Sequence, residues 1–448
     1  MSNLNLAIRY GLADGIFFRR IGNDVYVRNV LTRYDWLLNS FAADVLDCLK
    51  PEQTFEDIIL ALKRLGRGDN FGDTEFLNMM TSFVDELVSK GIVSKREVGN
   101  LGSPKAGVKD KLREDCAKAH RLWYVCLELT YRCNERCRHC YIDTPKMQCA
   151  SDEMTTQEWF DVIDALGRLG CGEILVTGGE PTLRTDFIEI CDRVVKNGML
   201  LNVFTNALNI PDDLFDKLVA LRPNSVSFSL YGGNAKFHDY ITQIPGSFDK
   251  TLLNILKFKC AGVDIFVKSV EFKDRFEEYL ALRKLGERYG FLVTHSTIIA
   301  PGNSGHSNRD MMLSDEDMAR LYAIEKEGRG WKMERSRLQR DFSDPICSAG
   351  QLSLSICPNG DVQPCNALPI KLGNVRCDSI SDVWQNSPEL KNIQNLKFAD
   401  FGENCRGCKY AAACVACIGA LYKENGGTIK PCDYVCRHAK LRYENEFD

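Results

Sequence analysis

The sequence has no apolar run approaching the roughly 18 residues that a membrane span needs. It has no excess of positive charge either. Lys plus Arg is 57 against 61 Asp plus Glu, a net charge of -4, which argues against a generalised nucleic-acid binder and leaves only a local patch open. The first twenty residues carry Arg9, Asp14, Arg19 and Arg20 and lack the long apolar core of a secretory signal, so the expected location is cytoplasmic. Disordered, collagenous and coiled-coil biases are missing too: 44% hydrophobic and 26% charged residues are ordinary for a globular chain. At 448 residues the chain has room for about three domains and needs no disulfide staple.

What is abundant is cysteine, twenty in all. In a reducing compartment many cysteines point to thiolate ligands for metal rather than to disulfides. Cys133, Cys137 and Cys140 form one knot. Ten more fall in the last 102 residues: Cys347, Cys357, Cys365, Cys377, Cys405, Cys408, Cys414, Cys417, Cys432 and Cys436. Cys48, Cys116, Cys126, Cys149, Cys171, Cys191 and Cys260 are scattered and read as small buried hydrophobes.

Residues 1–98 read as a hairpin around Gly22-Asn23 (Phe17–Ile21 and Asp24–Asn29) followed by three amphipathic helices, Asp35–Leu49, Phe55–Leu65 with Thr54 as N-cap, and Thr74–Ser89. With a closing extended piece at residues 92–95 this is a winged-helix arrangement. Such domains often bind DNA, but Asp73, Glu75, Asp85 and Glu86 on the third helix would be repelled by phosphate. Residues 99–121 read as a linker. Residues 122–320 alternate strands (Tyr124–Thr130, Glu173–Thr177, Leu200–Thr205, Ser225–Leu230, Asp264–Val270, Leu292–Ile299) with helices, which predicts an α/β fold with six parallel β/α units curled into a partial (β/α)6 barrel. Chemistry there belongs at the C-terminal strand ends. After a bridge at 321–345, residues 346–448 have little long periodicity and much cysteine, as in a domain held by its metals.

The knot Cys133-x3-Cys137-x2-Cys140 follows the first strand. Three thiolates hold three corners of a cubane and leave one iron open. A structural zinc would want a fourth ligand, and His139 lies inside the x2 gap, where its side chain points away from the common centre. The segment LTYRCNERCRHCY strongly resembles the radical S-adenosylmethionine (SAM) enzymes. The resemblance implies a [4Fe-4S] cluster whose open iron chelates SAM, and a deoxyadenosyl radical that abstracts a substrate hydrogen. It also implies that Gly178, Gly179, Glu180 and Pro181 receive the SAM ammonium, that Asn206 and Ser229 end strands at the cofactor, with Ser229 reaching the ribose hydroxyls, and that Lys268 reaches the carboxylate. Tyr141 and the sixth-strand end near Ile298 and Ile299 would flank adenine. Where the family usually has Gly after Asn206, this chain has Ala207.

The C-terminal cysteines resemble a SPASM domain with two auxiliary [4Fe-4S] clusters. By resemblance one takes Cys347, Cys365 and Cys417, with Cys357 a candidate fourth ligand, and the other takes Cys405, Cys408, Cys414 and Cys432, with Cys436 the alternative. Residues 1–98 then resemble a PqqD-like element that binds the leader of a ribosomally made precursor peptide by strand addition beside the third helix. Together these imply a maturase that installs a thioether or carbon–carbon cross-link, served by a flavodoxin- or ferredoxin-type electron donor, with no nucleic-acid or membrane partner. Two other readings stay open: a sulfatase-maturase-like oxidising or epimerising enzyme, and a winged-helix iron–sulfur redox sensor, which would have no use for a SAM pocket.

Overall fold

A computed structural model describes residues 9–13, 16–21, 24–29, 34–49, 53–67, 72–95, 116, 119–142, 152–303, 305–328 and 340–447. The expected Gly22-Asn23 turn, most of the 99–121 linker, Cys149, residues 329–339 of the bridge and the side chain of Thr54 lie outside these residues. The chain forms two compact units, residues 1–119 and 120–448.

The first unit holds β1 (Arg9–Leu12), β2 (Ile16–Ile21), β3 (Asp24–Asn29), β4 (Tyr34–Asn39), α1 (Ser40–Cys48), β5 (Gln53–Thr54), α2 (Phe55–Arg64), α3 (Asp73–Ser89) and β6 (Val93–Lys95). The hairpin is larger than its sequence pattern suggests. The segment read as one helix from Asp35 is a strand up to Asn39, paired along its length with β3 from Asp24↔Asn39 to Asn29↔Tyr34. Sheet pairing wins because alternate residues of this aromatic stretch can lie on β3, with Tyr26 Oη donating to Asp35 Oδ1 at 2.8 Å. Asn39 then switches the chain from strand to helix, its side chain accepting the Ala42 N–H at 3.0 Å. A second small sheet, ordered β5-β1-β6, includes β1, which carries no clear alternation in sequence. Val25, Val27, Leu46, Ile58, Leu62, Phe76, Met80 and Leu87 form the core.

The second unit opens with β7 (Tyr124–Glu128) and continues α4 (Thr156–Leu169), β8 (Glu173–Thr177), α5 (Phe187–Lys196), β9 (Leu200–Thr205), α6 (Asp212–Ala220), β10 (Ser225–Ser229), α7 (Ala235–Thr242), α8 (Ser247–Cys260), β11 (Ile265–Val270), α9 (Phe276–Tyr289), β12 (Leu292–Ser296) and α10 (Asp315–Gly328). Strands β7 to β12 are parallel and adjacent in sequence order. This is the α/β radical SAM fold, with Val125, Ile174, Val203, Val226, Phe228 and Val267 buried between sheet and helices. Helix α4 carries both end signals its sequence promises: a capping box between Thr155 and Glu158, and Gly170 at φ 88 as its C-cap.

The cysteine-rich region supplies β13 (Ser353–Ile356), β14 (Asp361–Gln363), β15 (Gly373–Asn374), α11 (Ile380–Asn386), α12 (Pro388–Asn395), α13 (Glu403–Arg406), α14 (Ile418–Glu424) and α15 (Asp433–Asn445). Strand β13 pairs in parallel with β7, from Ser353↔Tyr124 to Ile356↔Leu127. One nine-stranded sheet therefore runs through both parts of this unit. No helix among the described residues is long and apolar enough to cross a membrane.

Replacing Asn39 with Ala removes the α1 cap and should cost about 1 kcal/mol. Hydrogen exchange should show faster exchange in residues 40–48 and unchanged protection in 156–169.

Candidate active site and cluster-binding cysteines

The C-terminal ends of the barrel strands converge on a cavity of about 480 Å3. Cys133, Cys137, Cys140 and Tyr141 enter it from the loop after β7, Gly178 and Gly179 from β8, Thr205 and Asn206 from β9, Ser229 and Tyr231 from β10, Lys268 from β11, and Thr294, His295 and Ser296 from β12. First and sixth strands can share one cavity only if the sheet curls.

Gly178 and Gly179 have a steric reason to be glycine. A Cβ on Gly178, at φ +136, would sit 2.3 Å from the Thr130 carbonyl oxygen, and one on Gly179 would sit 2.3 Å from that of Arg132. This close approach lets Gly179 N–H donate to Thr130 O at 2.6 Å and Glu180 N–H to Arg132 O at 2.8 Å, stitching the turn to the chain that leads into Cys133.

Glu180 is placed differently from its sequence expectation. It is 0% exposed and does not line the cavity. Its Oε1 accepts from Thr182 N at 3.1 Å, Thr182 Oγ1 at 2.7 Å and Thr205 Oγ1 at 2.8 Å, and its Oε2 accepts from Asn206 N at 2.7 Å. Burial raises its pKa and these donors pull it back. The carboxylate is thus spent on protein donors and shapes the turn. Pro181 is buried at the start of a short 3-10 helix, Pro181–Leu183, also off the cavity. Ile299 is 1% exposed in the core because β12 stops at Ser296, short of the expected end. The last strand instead presents Thr294, His295 and Ser296.

Asn206 reaches the knot: its Nδ2 donates to Asn134 Oδ1 at 2.7 Å and lies 3.7 Å from Cys133 Sγ. Ala207 adopts φ 54, the left-handed conformation where glycine is usual, and its N–H bonds Thr205 Oγ1 at 2.9 Å. Lys268 Nζ lies 4.7 Å from the Phe204 ring centroid with no carboxylate partner among the described residues, and burial lowers its pKa. Tyr141 Oη donates to buried Glu128 at 2.5 Å. His139 packs edge-on against Tyr231 and Phe272, at 4.7 and 5.2 Å, and burial lowers its pKa to about 4. Tyr231 and His295 line the cavity without having stood out in sequence; each follows or sits on a strand whose other residues carried the visible motif.

These residues fit an iron–sulfur cluster and SAM. Among the described residues no group of three or more His, Cys, Asp or Glu is gathered tightly enough for a single metal ion; the three thiols instead border a wide cavity. Burial raises the Cys137 thiol and lifts Cys133 to about 12, so thiolates there need a cationic partner such as iron. Glu135 Oε1 and His139 Nδ1 are buried beside the knot without a hydrogen-bond partner. Lys268 offers a cation for a carboxylate.

In the C-terminal region Cys405, Cys408, Cys414 and Cys436 line a second, mostly apolar cavity of about 340 Å3 with Phe398, Phe401, Leu421 and Val435. Cys432, expected in this set, is not there: it is the N-cap of α15, one turn before Cys436. Cys347, Cys365 and Cys417 form the other group. Burial lifts Cys365 to about 11, with Cys417 and Cys347 adding to the shift.

The radical SAM superfamily pattern matches residues 127–302, and the SPASM iron-sulfur cluster-binding domain matches residues 347–409. The chain is 23% identical over 326 residues to the AdoMet-dependent heme synthase of Methanosarcina barkeri, covering 67% of this chain and 93% of that protein. It is 28% identical over 315 residues to the mycofactocin maturase MftC of Mycolicibacterium smegmatis, covering 66% and 79%. In fold it is similar to Streptococcus suis SuiB, solved with S-adenosylmethionine and with precursor peptide SuiA, at a TM-score of 0.58, 16% identity, 95% coverage of this chain and 99% of SuiB.

Gly179→Ala should force the knot and the β8 turn apart. Anaerobic reconstitution should then give about four fewer irons per chain, as should Ala at Cys133, Cys137 and Cys140 together, with SAM cleavage lost in both. Undiminished 5′-deoxyadenosine from the triple variant would sink the assignment.

The match and the site coincide: the chain is a radical SAM enzyme with a C-terminal SPASM domain, binding SAM with a [4Fe-4S] cluster in the first and auxiliary iron–sulfur clusters in the second.

Proposed function

We propose that this enzyme is a peptide maturase. It modifies a ribosomally made precursor by hydrogen-atom abstraction, installing either a thioether from cysteine sulfur to carbon or a carbon–carbon cross-link. The observation that carries the reading is extent. The heme synthase likeness reaches 67% of this chain, whereas the likeness to SuiB, whose structure is known with a precursor peptide, reaches 95%. The part that a heme synthase does not need is thus part of the SuiB-like architecture.

Residues 1–98 serve as a PqqD-like leader-binding element. The sheet ordered β2-β3-β4 leaves the outer edges of β2 and β4 unpaired among the described residues, and an extended peptide adds to such an edge through its main chain. Phe76 and Met80, at 1% and 0% exposure, are core residues and cannot form side-chain pockets for the leader. Phe83, half-buried against Phe41 at 5.6 Å, is better placed. The exposed Glu75, Asp85 and Glu86 of α3 suit a leader with basic residues. Holding the leader keeps the core peptide at high local concentration near the cavity.

In the barrel Cys133, Cys137 and Cys140 hold the catalytic cluster, and SAM bound beside it supplies the hydrogen-abstracting radical. Gly178 and Gly179 admit the cofactor closely, Asn206 and Ser229 offer polar contacts, Lys268 meets a carboxylate, and Tyr141 borders the base. Glu180 and Pro181 act one step back by fixing the turn, and Ile299 backs the wall from the core. Two auxiliary [4Fe-4S] clusters carry electrons, and an external flavodoxin- or ferredoxin-type protein supplies them.

The test uses the reduced, cluster-loaded chain with SAM and the short peptide encoded beside its gene. Mass spectrometry should show a product lighter by two hydrogen atoms. Deleting residues 1–98 should abolish or sharply reduce that product while uncoupled SAM cleavage continues. Modification at the full-length rate by the truncated enzyme would refute leader binding. A chain that left the peptide untouched and decarboxylated a haem precursor would establish the heme-synthase reading instead.

A further inference from the structure

Cys405, Cys408, Cys414 and Cys436 supply the four thiolates of one cubane. Cys347, Cys365 and Cys417 supply three of another, and Cys357, Cys377 and Cys432 remain. Cys377 is exposed in a turn, its N–H on Asn374 O at 2.9 Å. Cys357 is buried with Sγ 3.9 Å from Glu128 Oε2, and that carboxylate also takes the Tyr131 and Tyr141 hydroxyls. A thiolate facing a buried carboxylate is disfavoured, which suits Cys357 to remain a thiol.

Cys432 is different on two independent counts. Its sulfur accepts the Val435 N–H at the start of α15, just as Cys347 accepts from Ala349 and Ile418 and Cys365 from Ala367 and Leu368. Amide hydrogen bonds to sulfur stabilise the thiolate form and tune iron–sulfur clusters. The second count is Tyr434. It is 2% exposed, and its hydroxyl has no hydrogen-bond partner. The thiols that act on that hydroxyl are Cys432 and Cys417. A buried, unsatisfied donor within reach of both sulfurs marks the place of a missing acceptor. Arg309 closes this side, 5.2 Å from the Tyr434 ring centroid and ion-paired with Glu424 at 2.8 Å and Asp433 at 3.2 Å.

We infer that Cys432 is the fourth protein ligand of the first auxiliary cluster, joining Cys347, Cys365 and Cys417, and that Tyr434 Oη donates a hydrogen bond into that cluster's sulfur shell. Every iron there is then held by the protein. The cluster carries electrons and offers no vacant iron to a substrate thiolate. The inference rests on the cluster-binding assignment of the C-terminal domain and is independent of the peptide substrate.

The experiment uses the full chain with Cys133, Cys137 and Cys140 changed to Ala, so that only auxiliary clusters remain. Cys432→Ser, Cys357→Ser, Cys436→Ser and Tyr434→Phe are each added, and the proteins are reconstituted anaerobically. Iron content, Mössbauer spectra, electron paramagnetic resonance after mild oxidation and reduction midpoints are then read. C432S should yield a three-iron signal from one of two clusters, and C436S should yield it from the other. C357S should match its parent. Y434F should keep its iron and lower the midpoint of one cluster only. A loaded parent with a silent C432S, or a three-iron signal from C357S, overturns the inference. Should C432S lose the cluster entirely, Y434F decides: an unchanged midpoint overturns it. A parent without iron would overturn the cluster assignment itself and this inference with it.

Discussion

The catalytic end of the barrel hangs on one buried carboxylate. Glu180 accepts hydrogen bonds from residues 182, 205 and 206, and so joins the turn after β8 to the end of β9. Its own N–H goes to Arg132 O, which joins the same turn to the cysteine loop. Asn206, fixed by Glu180 at its backbone, reaches onward to Asn134 and Cys133. A fully buried charge is expensive unless every lone pair is met, and here the cost is offset by four donors. Three strand ends are therefore set relative to one another by a group that faces none of the cavity. A polar network of this kind fixes one arrangement where an apolar core would tolerate several.

The cavity it frames combines three properties that ordinary ligand pockets do not share. Its mouth carries thiols that burial keeps protonated in the metal-free chain. Its wall carries a lysine whose cation burial disfavours. Its glycine turn lets backbone approach where side chains would collide. Each is a strained or incomplete feature on its own terms and is relieved by a cluster and an amino-acid cofactor together. Such local conflicts are where functional sites depart from what stability alone would select.

The barrel was legible because its signals are local and redundant. Parallel strands buried on both faces, such as Glu173–Thr177 and Leu200–Thr205, read as short apolar runs between capped helices, and the knot and GGEP fall at consecutive strand ends. Residues 34–39 misread because an aromatic stretch has both periods, and pairing with β3, a non-local event, decided between them. Glu180 was legible as important but not in its role, since a motif fixes residue type and not the direction a side chain turns. Ile299 misplaced because strand ends are set by ladder pairing, which stops at Ser296. Cys432 and Cys436 could not be separated by spacing, because one caps α15 and the other lies a turn inside it. The two small sheets of the first unit depend on pairings that single strands do not announce.

The parallel pairing of β13 with β7 has a consequence in time. Glu128 at the end of β7 and Cys357 at the end of β13 are 229 residues apart in the chain. At a synthesis rate of about 5–20 residues per second, β7 waits roughly ten to forty-five seconds for its outer neighbour. Throughout that interval the nascent barrel has a bare edge of unpaired amides next to the cysteine knot, an invitation to pair with another chain. The late arrival of β13 thus makes crowding on the polysome, rather than the strength of the finished fold, the factor that governs how much of this protein reaches its native state.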